Sequence, residues 1–286
     1  MSPLQRHHIF MLGNFRLQRA SLFSFALGVQ FPKMYGWVSG ADSNDKLVTN
    51  LRYHYGLSDR ITAAMKRVDR ANYCLEEASG YNDSPQLIGF GQTISAPHVH
   101  AMALKALEPK LIGGDQKSVL DVGSGSGYLS ACFAEVLAAE NGGHVVGVDN
   151  SNGLVEWSVA NIVRDGKGRL LEDKKSCGDT SSDAVESPRD NVLLTLAVAD
   201  GYEGYAPGAP YDAIHVGAAM EEVPSALLRQ LKPGGLFVGP VGPRTHQEFI
   251  LIKKDAESGA FTSNILSSVR YVPLTHGLPE KQRFDY

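Results

Sequence analysis

The sequence predicts an α/β fold in which helices cover both faces of a mostly parallel sheet. Two observations lead to this prediction: short apolar strands alternate with helical patterns, and a glycine-rich turn joins the first such strand to its helix. Residues 118–122 form a short apolar run, residues 123–127 read GSGSG, and a helical pattern follows over 128–139. A second strand over 144–148 and a helix over 152–163 complete a strand–helix–strand unit, which requires parallel strands.

Further helices are predicted before this unit. Residues 45–55 and 58–68 carry apolar residues at helical spacing, and the second stretch opens with a serine that can cap the first turn. Residues 88–95 then lead into a third helical pattern over 97–107, which has a proline in its first turn. We therefore expect extra N-terminal helices packed beside the sheet.

The second half of the chain resumes the alternation after an interruption. Residues 166–191 are polar, and they predict a solvated insertion without a core of its own. Further strands are predicted over residues 192–198, 213–216 and 236–241, with a helix over 224–231 that ends at a Lys-Pro-Gly-Gly turn. Residues 247–254 and 264–272 flank a turn, so they predict a terminal antiparallel hairpin at the sheet edge.

Composition excludes several classes of protein. Apolar residues make up 43% of the 286 residues and charged residues 20%, which is typical of a soluble globular protein. The net charge of −4 gives no sign of a basic surface for nucleic acid. No apolar run reaches the roughly 18 residues that span a bilayer, so no membrane segment is expected. Cys74, Cys132 and Cys177 show no metal-ligand spacing, which favours a reducing compartment such as the cytoplasm.

Residues 1–36 are predicted to form an extension ahead of one domain over residues 37–286. The extension holds no acidic residue, and Arg16 and Arg19 precede the apolar run of residues 21–31. This composition fits a disordered extension, a mitochondrial targeting sequence or a secretory signal, and the sequence leaves the three open.

The spacing of the glycine turn indicates the kind of ligand. Gly123, Gly125 and Gly127 are spaced G-x-G-x-G, whereas dinucleotide sites have G-x-G-x-x-G, with a pyrophosphate on the helix N-terminus. Asp121 opens the turn. Its carboxylate would repel a pyrophosphate but can accept hydrogen bonds from an ammonium group. A cationic cofactor with an amino-acid tail therefore fits better than NAD.

Two more acidic residues follow neighbouring strands. Asp149 ends the second strand, close to the spacing of about 20 residues expected for a ribose-binding acid. Asp200 and Gly201 follow a later strand, where an adenine edge would lie in this architecture. Each alone is also compatible with an ordinary strand-end turn. Together with Asp121, they predict a nucleoside cofactor pocket.

Several longer segments resemble the protein-L-isoaspartate (D-aspartate) O-methyltransferase family. They are DSPQLIGFGQTISAPHVH (83–100), DVGSGSGYLSACFA (121–134), PYDAIHVGAA (210–219), LKPGG (231–235), GPVGP (239–243) and YVPLT (271–275). The resemblance covers roughly residues 37–286 and is broken by the polar insertion. It implies a Rossmann-like class I methyltransferase fold, S-adenosyl-L-methionine (AdoMet) as methyl donor with S-adenosyl-L-homocysteine (AdoHcy) as product, and isoaspartyl or D-aspartyl proteins as acceptors. We expect a monomer, because such acceptors lie on exposed loops of other proteins.

The resemblance also implies the site residues. Ser95 matches the active-site serine of the family. Matches to cofactor-pocket positions fall on Gln92, Thr93, Ile94, Ser95, His100, Asp121, Gly123, Ser124, Gly125, Ser126, Asp149, Asn150, Asp200, Gly201, Thr275 and, if a two-residue gap is allowed in the tail, Gln282. Gln92 stands where several relatives carry alanine. No metal ligands are expected.

The implied chemistry needs no strong base, because the acceptor carboxylate is already ionised and the sulfonium donor is highly activated. We therefore expect Ser95 to hold the carboxylate by a hydrogen bond. A hydrolase triad of Ser95 with His98 or His100 is disfavoured, since the chain has no G-x-S-x-G elbow. A metal pair is disfavoured because residues two apart on a helix point away from each other. An AdoMet methyltransferase for another carboxylate, and a non-catalytic isoaspartyl-binding protein, are the alternatives.

Overall fold

The computed structural model of the protein describes residues 38–171 and 192–277, together with three two-residue strands near the N terminus. These are β1 (Met11–Leu12), β2 (Phe15–Arg16) and β3 (Gln18–Arg19). Strands β1 and β2 pair with each other, and β3 pairs parallel to the last strand of the main sheet. The roles predicted for residues 1–36 stay predictions, and Cys177 and Gln282 lie outside the described residues.

The predicted N-terminal helices are present as α1 (Asn44–Tyr55) and α2 (Asp59–Arg67). The Ser58 hydroxyl accepts a hydrogen bond from the Ile61 amide at 3.2 Å, as expected for an N-cap. A 3-10 turn over Arg70–Tyr73 follows, and the sequence pattern did not predict it. A second 3-10 turn spans Glu77–Ser79.

The segment that precedes the third helix is a small separate hairpin, β4 (Gln86–Gly89) and β5 (Gln92–Ile94). The third helix, α3 (Pro97–Leu111), runs one turn beyond its predicted end and passes through Pro109. The extra turn brings Leu111 into the core, where it is fully buried. Burial of that side chain offsets the hydrogen bond that a proline removes.

The main sheet has eight strands in the order β3-β12-β11-β10-β9-β6-β7-β8. Its remaining elements are β6 (Lys117–Val122), α4 (Tyr128–Ala138), β7 (Gly143–Asp149), α5 (Asn152–Arg164), β8 (Val192–Val198), β9 (Tyr211–Val216), α6 (Ser225–Gln230), β10 (Leu231–Val241), β11 (Gln247–Lys254) and β12 (Phe261–Val269). Strands β8, β7, β6, β9 and β10 are parallel, whereas β10, β11 and β12 pair antiparallel. The predicted α/β fold and C-terminal hairpin are confirmed.

Residues on alternate positions of each central strand enter separate cores on the two faces of the sheet. On β6, Val119 packs with α3 and α4, whereas Leu120 and Val122 pack with residues of α6. The chain runs from β6 through β7 to β8 and then crosses back, so that β9 lies on the other side of β6. Such a reversal leaves a crevice at the carboxyl ends of the strands, where ligands bind in open α/β sheets.

The predicted polar insertion differs from expectation at its start. Residues Gly168–Leu170 form a 3-10 turn, and Leu170 is fully buried in the core. Leu171 then forms a parallel bridge to Leu194 of β8. Residues 166–171 are therefore part of the packed domain rather than a solvated segment, because the two leucines supply apolar surface. Residues 172–191 lie outside the described part of the chain.

The last strand begins three residues earlier than predicted. Phe261 pairs with Lys254 at the end of the hairpin and is almost fully buried, which extends β12 toward the turn. Within the described ranges, no helix combines the length and the apolar character needed to cross a membrane.

Candidate active site

Two adjoining cavities lie at the carboxyl ends of β6, β7 and β9. The outer cavity is lined by the glycine turn, the end of β7, the β4–β5 hairpin and residues 272–275. The inner cavity lies among side chains that include Ser95, His100, Asp121, Tyr128 and His215. Both are lined by Ile88, Thr93, Gly123, Gly125 and Gly217, so they form one continuous site.

The glycine turn brings the backbone close to the site. Gly125 has a φ of 52°, in the left-handed region that favours glycine. A Cβ built there would lie 3.1 Å from the Ile88 side chain, which itself lines both cavities. The Gly125 amide donates to the Asp149 carboxylate at 3.1 Å, so the turn is fixed against the next strand end. This arrangement lets a ligand approach the backbone between β6 and β7.

The Asp149 carboxylate lines the outer cavity, and only part of its hydrogen-bonding capacity is used within the protein. One oxygen accepts from Gly125, and the other accepts from the Ser151 amide at 3.1 Å. Burial raises the pKa of Asp149, and the backbone hydrogen bonds oppose that rise. Each oxygen has a further lone pair. Hydroxyl groups that donate to it would stabilise the charged form, as the two ribose hydroxyls of a nucleoside can.

Asp121 is held by two side chains at the floor of the inner cavity. It is 1% exposed; Ser130 donates to one oxygen at 2.6 Å, and the Nδ1 atom of His215 lies 2.7 Å from the other. Asp121 and His215 are register partners on β6 and β9. His215 is not among the predicted site residues, although it lies inside the PYDAIHVGAA segment. The sequence signal that could have identified it is a histidine between apolar residues at the end of a predicted strand.

Ser95 follows β5 and lines the inner cavity. Its carbonyl oxygen accepts a hydrogen bond from Arg70 Nη2 at 2.8 Å, and Arg70 Nη1 lies 3.3 Å from Nδ1 of His100. Burial, with a smaller contribution from Arg70, lowers the pKa of His100 well below 6.5, so the ring is neutral. Arg70 was also missed, because a lone arginine between a polar helix end and a turn is usually exposed.

Asp200 follows β8, and its contact with a cofactor stays a prediction. It does not line either cavity, whereas Gly201 lines the outer one. Its oxygens accept from the amides of Tyr202 at 2.9 Å and Gly277 at 2.7 Å, which fastens the C-terminal segment to the end of β8. Sequence spacing could not predict that the Gly277 amide, 77 residues later, lies beside this carboxylate.

The other predicted site residues converge on the two cavities. Those lining the outer cavity are Gln92, Thr93, Gly123, Gly125, Asp149, Asn150, Gly201 and Thr275. Those lining the inner cavity are Thr93, Ile94, Ser95, His100, Asp121, Gly123, Ser124, Gly125 and Ser126. Asn150 donates to the Thr275 hydroxyl at 2.7 Å, which joins two predicted positions that are 125 residues apart. Their contacts with a cofactor stay predictions.

His98 and His100 have separate partners. The Nδ1 atom of His98 lies 2.7 Å from Asp83, whereas His100 faces Arg70. In the part of the chain that the structure describes, no group of three or more His, Cys, Asp or Glu side chains could hold a metal ion.

Comparison with known proteins agrees with this geometry. Residues 42–279 match the family model of protein-L-isoaspartate (D-aspartate) O-methyltransferases. Protein-L-isoaspartate O-methyltransferase 1 of Arabidopsis thaliana is 42% identical over 85% of this chain and 96% of its own length. The Triticum aestivum enzyme is 41% identical over 84% and 94%.

A solved structure is similar over most of this chain. It is a Plasmodium falciparum protein described as a protein-L-isoaspartate O-methyltransferase, crystallised with AdoHcy. It is 30% identical to this chain, with a TM-score of 0.66 over 82% of this chain and 99% of that one. The expected Rossmann-like methyltransferase fold is thus confirmed, and the chain belongs to the protein-L-isoaspartate (D-aspartate) O-methyltransferase family.

Proposed function

We propose that this chain transfers a methyl group from AdoMet to the free carboxylate of L-isoaspartyl and D-aspartyl residues in damaged proteins. Membership of the family and the AdoHcy bound in the Plasmodium structure support the reaction, since AdoHcy is what remains after AdoMet gives up its methyl group. One observation supports placing the reaction at this site. Ser95 and Asp121 line the inner cavity, which adjoins the outer cavity lined by Asp149. The alternative is a methyltransferase that acts on another carboxylate substrate.

The residues present fit AdoMet. Asp149 offers free lone pairs for the ribose, and the left-handed glycine turn allows close approach of the ligand to the backbone. The Ser124 hydroxyl is buried and has no hydrogen-bond partner among the described residues, so it is available to a ligand. Asp121 would face the ammonium group of the methionine tail, with its orientation fixed by Ser130 and His215.

When bound, AdoMet supplies a methyl group on a positively charged sulfur. The protein's part is then to hold the acceptor carboxylate in line with that methyl group and to exclude water. The Ser95 hydroxyl donates a hydrogen bond to one oxygen of the acceptor carboxylate. The other oxygen is left free to attack the methyl group. No side chain removes a proton in this step, because the acceptor is already a carboxylate. A backbone amide nitrogen of the acceptor then displaces methanol from the ester and closes a succinimide ring, which water can reopen to a normal aspartyl residue.

A paired-peptide assay tests the function. Isoaspartyl and aspartyl peptides of one sequence are incubated with methyl-labelled AdoMet, and volatile methanol is counted after the esters hydrolyse. We expect label from the isoaspartyl peptide and background from the aspartyl one. Equal labelling of both would favour the alternative substrate class. Binding without any transfer would identify a non-catalytic isoaspartyl-binding protein.

The protein is proposed to act as a monomer in the cytoplasm. The exposed position of Thr93 at the cavity rim supports a substrate loop that enters from another protein. Sedimentation of the purified chain tests the monomer. Imaging of the full-length chain against one that starts at Met34 tests the compartment and a targeting role for residues 1–36.

A further inference from the structure

Arg70 is a buried cation without an acidic partner. Its side chain is fully buried, and it forms no ion pair among the described residues. Its Nε–H has no hydrogen-bond partner there either. Burial lowers the pKa of Arg70, yet a guanidinium stays protonated in proteins. An unpaired buried charge is costly, and proteins rarely keep one without a use for it.

The surrounding titratable groups leave this charge uncompensated. Tyr128 lies under the guanidinium, 5.4 Å from ring centre to Arg70 Cζ, and burial raises the pKa of its hydroxyl well above 10. Burial also raises the pKa values of the Cys74 and Cys132 thiols, so all three groups are neutral at neutral pH. Asp83 raises the pKa of Arg70 through its charge, and its carboxylate accepts hydrogen bonds from His98.

The two side-chain hydrogen bonds of Arg70 both lead to residues of the inner cavity. A guanidinium only donates, so Nδ1 of His100 must accept from Nη1, and the proton of the neutral ring sits on Nε2. The second bond, from Nη2 to the Ser95 carbonyl oxygen, fixes the backbone of the residue that carries the acceptor-binding hydroxyl. Ser95 and His100 both line the inner cavity. Arg70 thus acts on that cavity through two other residues.

We infer that Arg70 is a positioning residue that makes the inner cavity selective for an anionic acceptor. It holds Ser95 in place, keeps His100 as an Nε2–H donor, and supplies a buried positive charge that forms no ion pair among the described residues. The inference rests on the proposed function and concerns how its acceptor is chosen. A neutral acceptor of the same shape would fill the cavity without gaining attraction from that charge, and such a difference in affinity gives the site its selectivity.

A neutral isostere provides the test. Two peptides are compared by calorimetry at neutral pH with saturating AdoHcy: an isoaspartyl peptide, and its isoasparaginyl analogue with a carboxamide in place of the free carboxylate. We expect the wild-type protein to bind the isoaspartyl peptide about tenfold or more tightly. In Arg70→Met we expect the ratio of the two dissociation constants to fall close to one, while AdoHcy affinity changes less than about twofold.

Two further variants keep the inference falsifiable. Arg70→Lys keeps the charge but cannot donate to Ser95 and His100 in one planar fork, so an intermediate ratio and a raised peptide KM are expected. Arg67→Met is the matched control, since Arg67 pairs with Glu135 and should leave the ratio unchanged. The nitrogen shifts of the His100 ring should report the Nε2–H tautomer in the wild type and lose it in Arg70→Met.

The outcomes separate the inference from the function. A full wild-type ratio in either Arg70 variant, or equal weakening of both peptides, would reduce Arg70 to a packing residue and overturn the inference. If the wild-type protein bound neither peptide, or transferred no methyl group to the isoaspartyl one, the proposed function itself would fail. Should Arg70→Met not fold, the ratio in Arg70→Lys and the His100 tautomer decide.

Discussion

The outer and inner cavities are neighbours with different construction. The outer cavity is built from backbone turns, strand ends and the C-terminal segment, with Asp149 as its main charge. The inner cavity is enclosed by buried polar side chains that hold one another: Asp121 with His215, and His100 with Arg70. Backbone shape suits a large ligand that is bound by many weak contacts. Interlocked side chains suit a small charged group that must be held in one position. The outer cavity should therefore govern cofactor affinity, and the inner cavity the rate.

The largest expected effect comes from removing the Ser95 hydroxyl, which lines the inner cavity. Ser95→Ala removes the donor to the acceptor carboxylate, and we expect kcat to fall by about 100-fold, as for loss of one preorganised donor. The dissociation constant of AdoHcy should change less than about twofold. Peptide turnover and calorimetry on the same sample measure both. Unchanged turnover would remove Ser95 from the mechanism.

A change in the outer cavity should give the opposite pattern. Asp149→Asn loses charge-assisted hydrogen bonds to the ribose, so AdoHcy should bind about 10- to 100-fold more weakly, equivalent to roughly 1.5–3 kcal/mol. At saturating AdoMet, kcat should stay near the wild-type value. A large loss of kcat with intact affinity would show that the two cavities do not divide binding from rate.

A smaller effect is expected at the floor of the inner cavity. His215→Ala leaves the buried Asp121 carboxylate without one donor, and we expect AdoMet to bind about tenfold more weakly. His215→Asn keeps an N–H close to the Nδ1 position and should restore part of that affinity. Fluorescence titration with AdoHcy compares the variants. Equal affinity in wild type and His215→Ala would mean that Asp121 does not need its strand partner.

The smallest effect on catalysis is expected outside both cavities, at Asp83. Burial alone would raise its pKa, but hydrogen bonds from the His98 ring and amide and from the Ser39 amide lower it overall below 3.8. A lowered pKa in the folded state contributes stability above the unfolded value of 3.8, and that contribution is lost as pH falls through the folded pKa.

We therefore expect Asp83→Asn to lower the free energy of unfolding by about 1–3 kcal/mol at pH 7, with kcat within about twofold. The difference from the wild type should shrink as pH falls below 3.8. Thermal unfolding across pH measures it. A difference that is constant down to pH 3, a value about one unit below the reference, would show that the Asp83 charge is not involved.

The two cavities also differ in how far the sequence predicts them. Gly125 and Asp149 lie in or beside predicted strand ends, and alternation of strands and helices was enough to bring them together. Asp121 and His215 are 94 residues apart, and their contact depends on the order of strands in the sheet. No local pattern carries that order.

Burial of polar groups was the other obstacle. Arg70 can be buried because His100 and Ser95, 30 and 25 residues later, accept hydrogen bonds from its guanidinium. The polar neighbours of Leu170 predict a solvated segment, yet its side chain is fully buried and Leu171 bridges to β8. In both places, tertiary contacts outweighed local composition.

The register pairing of Asp121 with His215 has a consequence for how this site can change. Adjacent strands of a sheet lie about 4.8 Å apart, a spacing set by the backbone ladder. The positions of Asp121 and His215 at the cavity floor are therefore fixed by the sheet. The rim is formed by the β4–β5 hairpin and residues 272–275. Substitutions in those rim segments can alter which damaged loops are accepted and leave the methyl-transfer geometry in place.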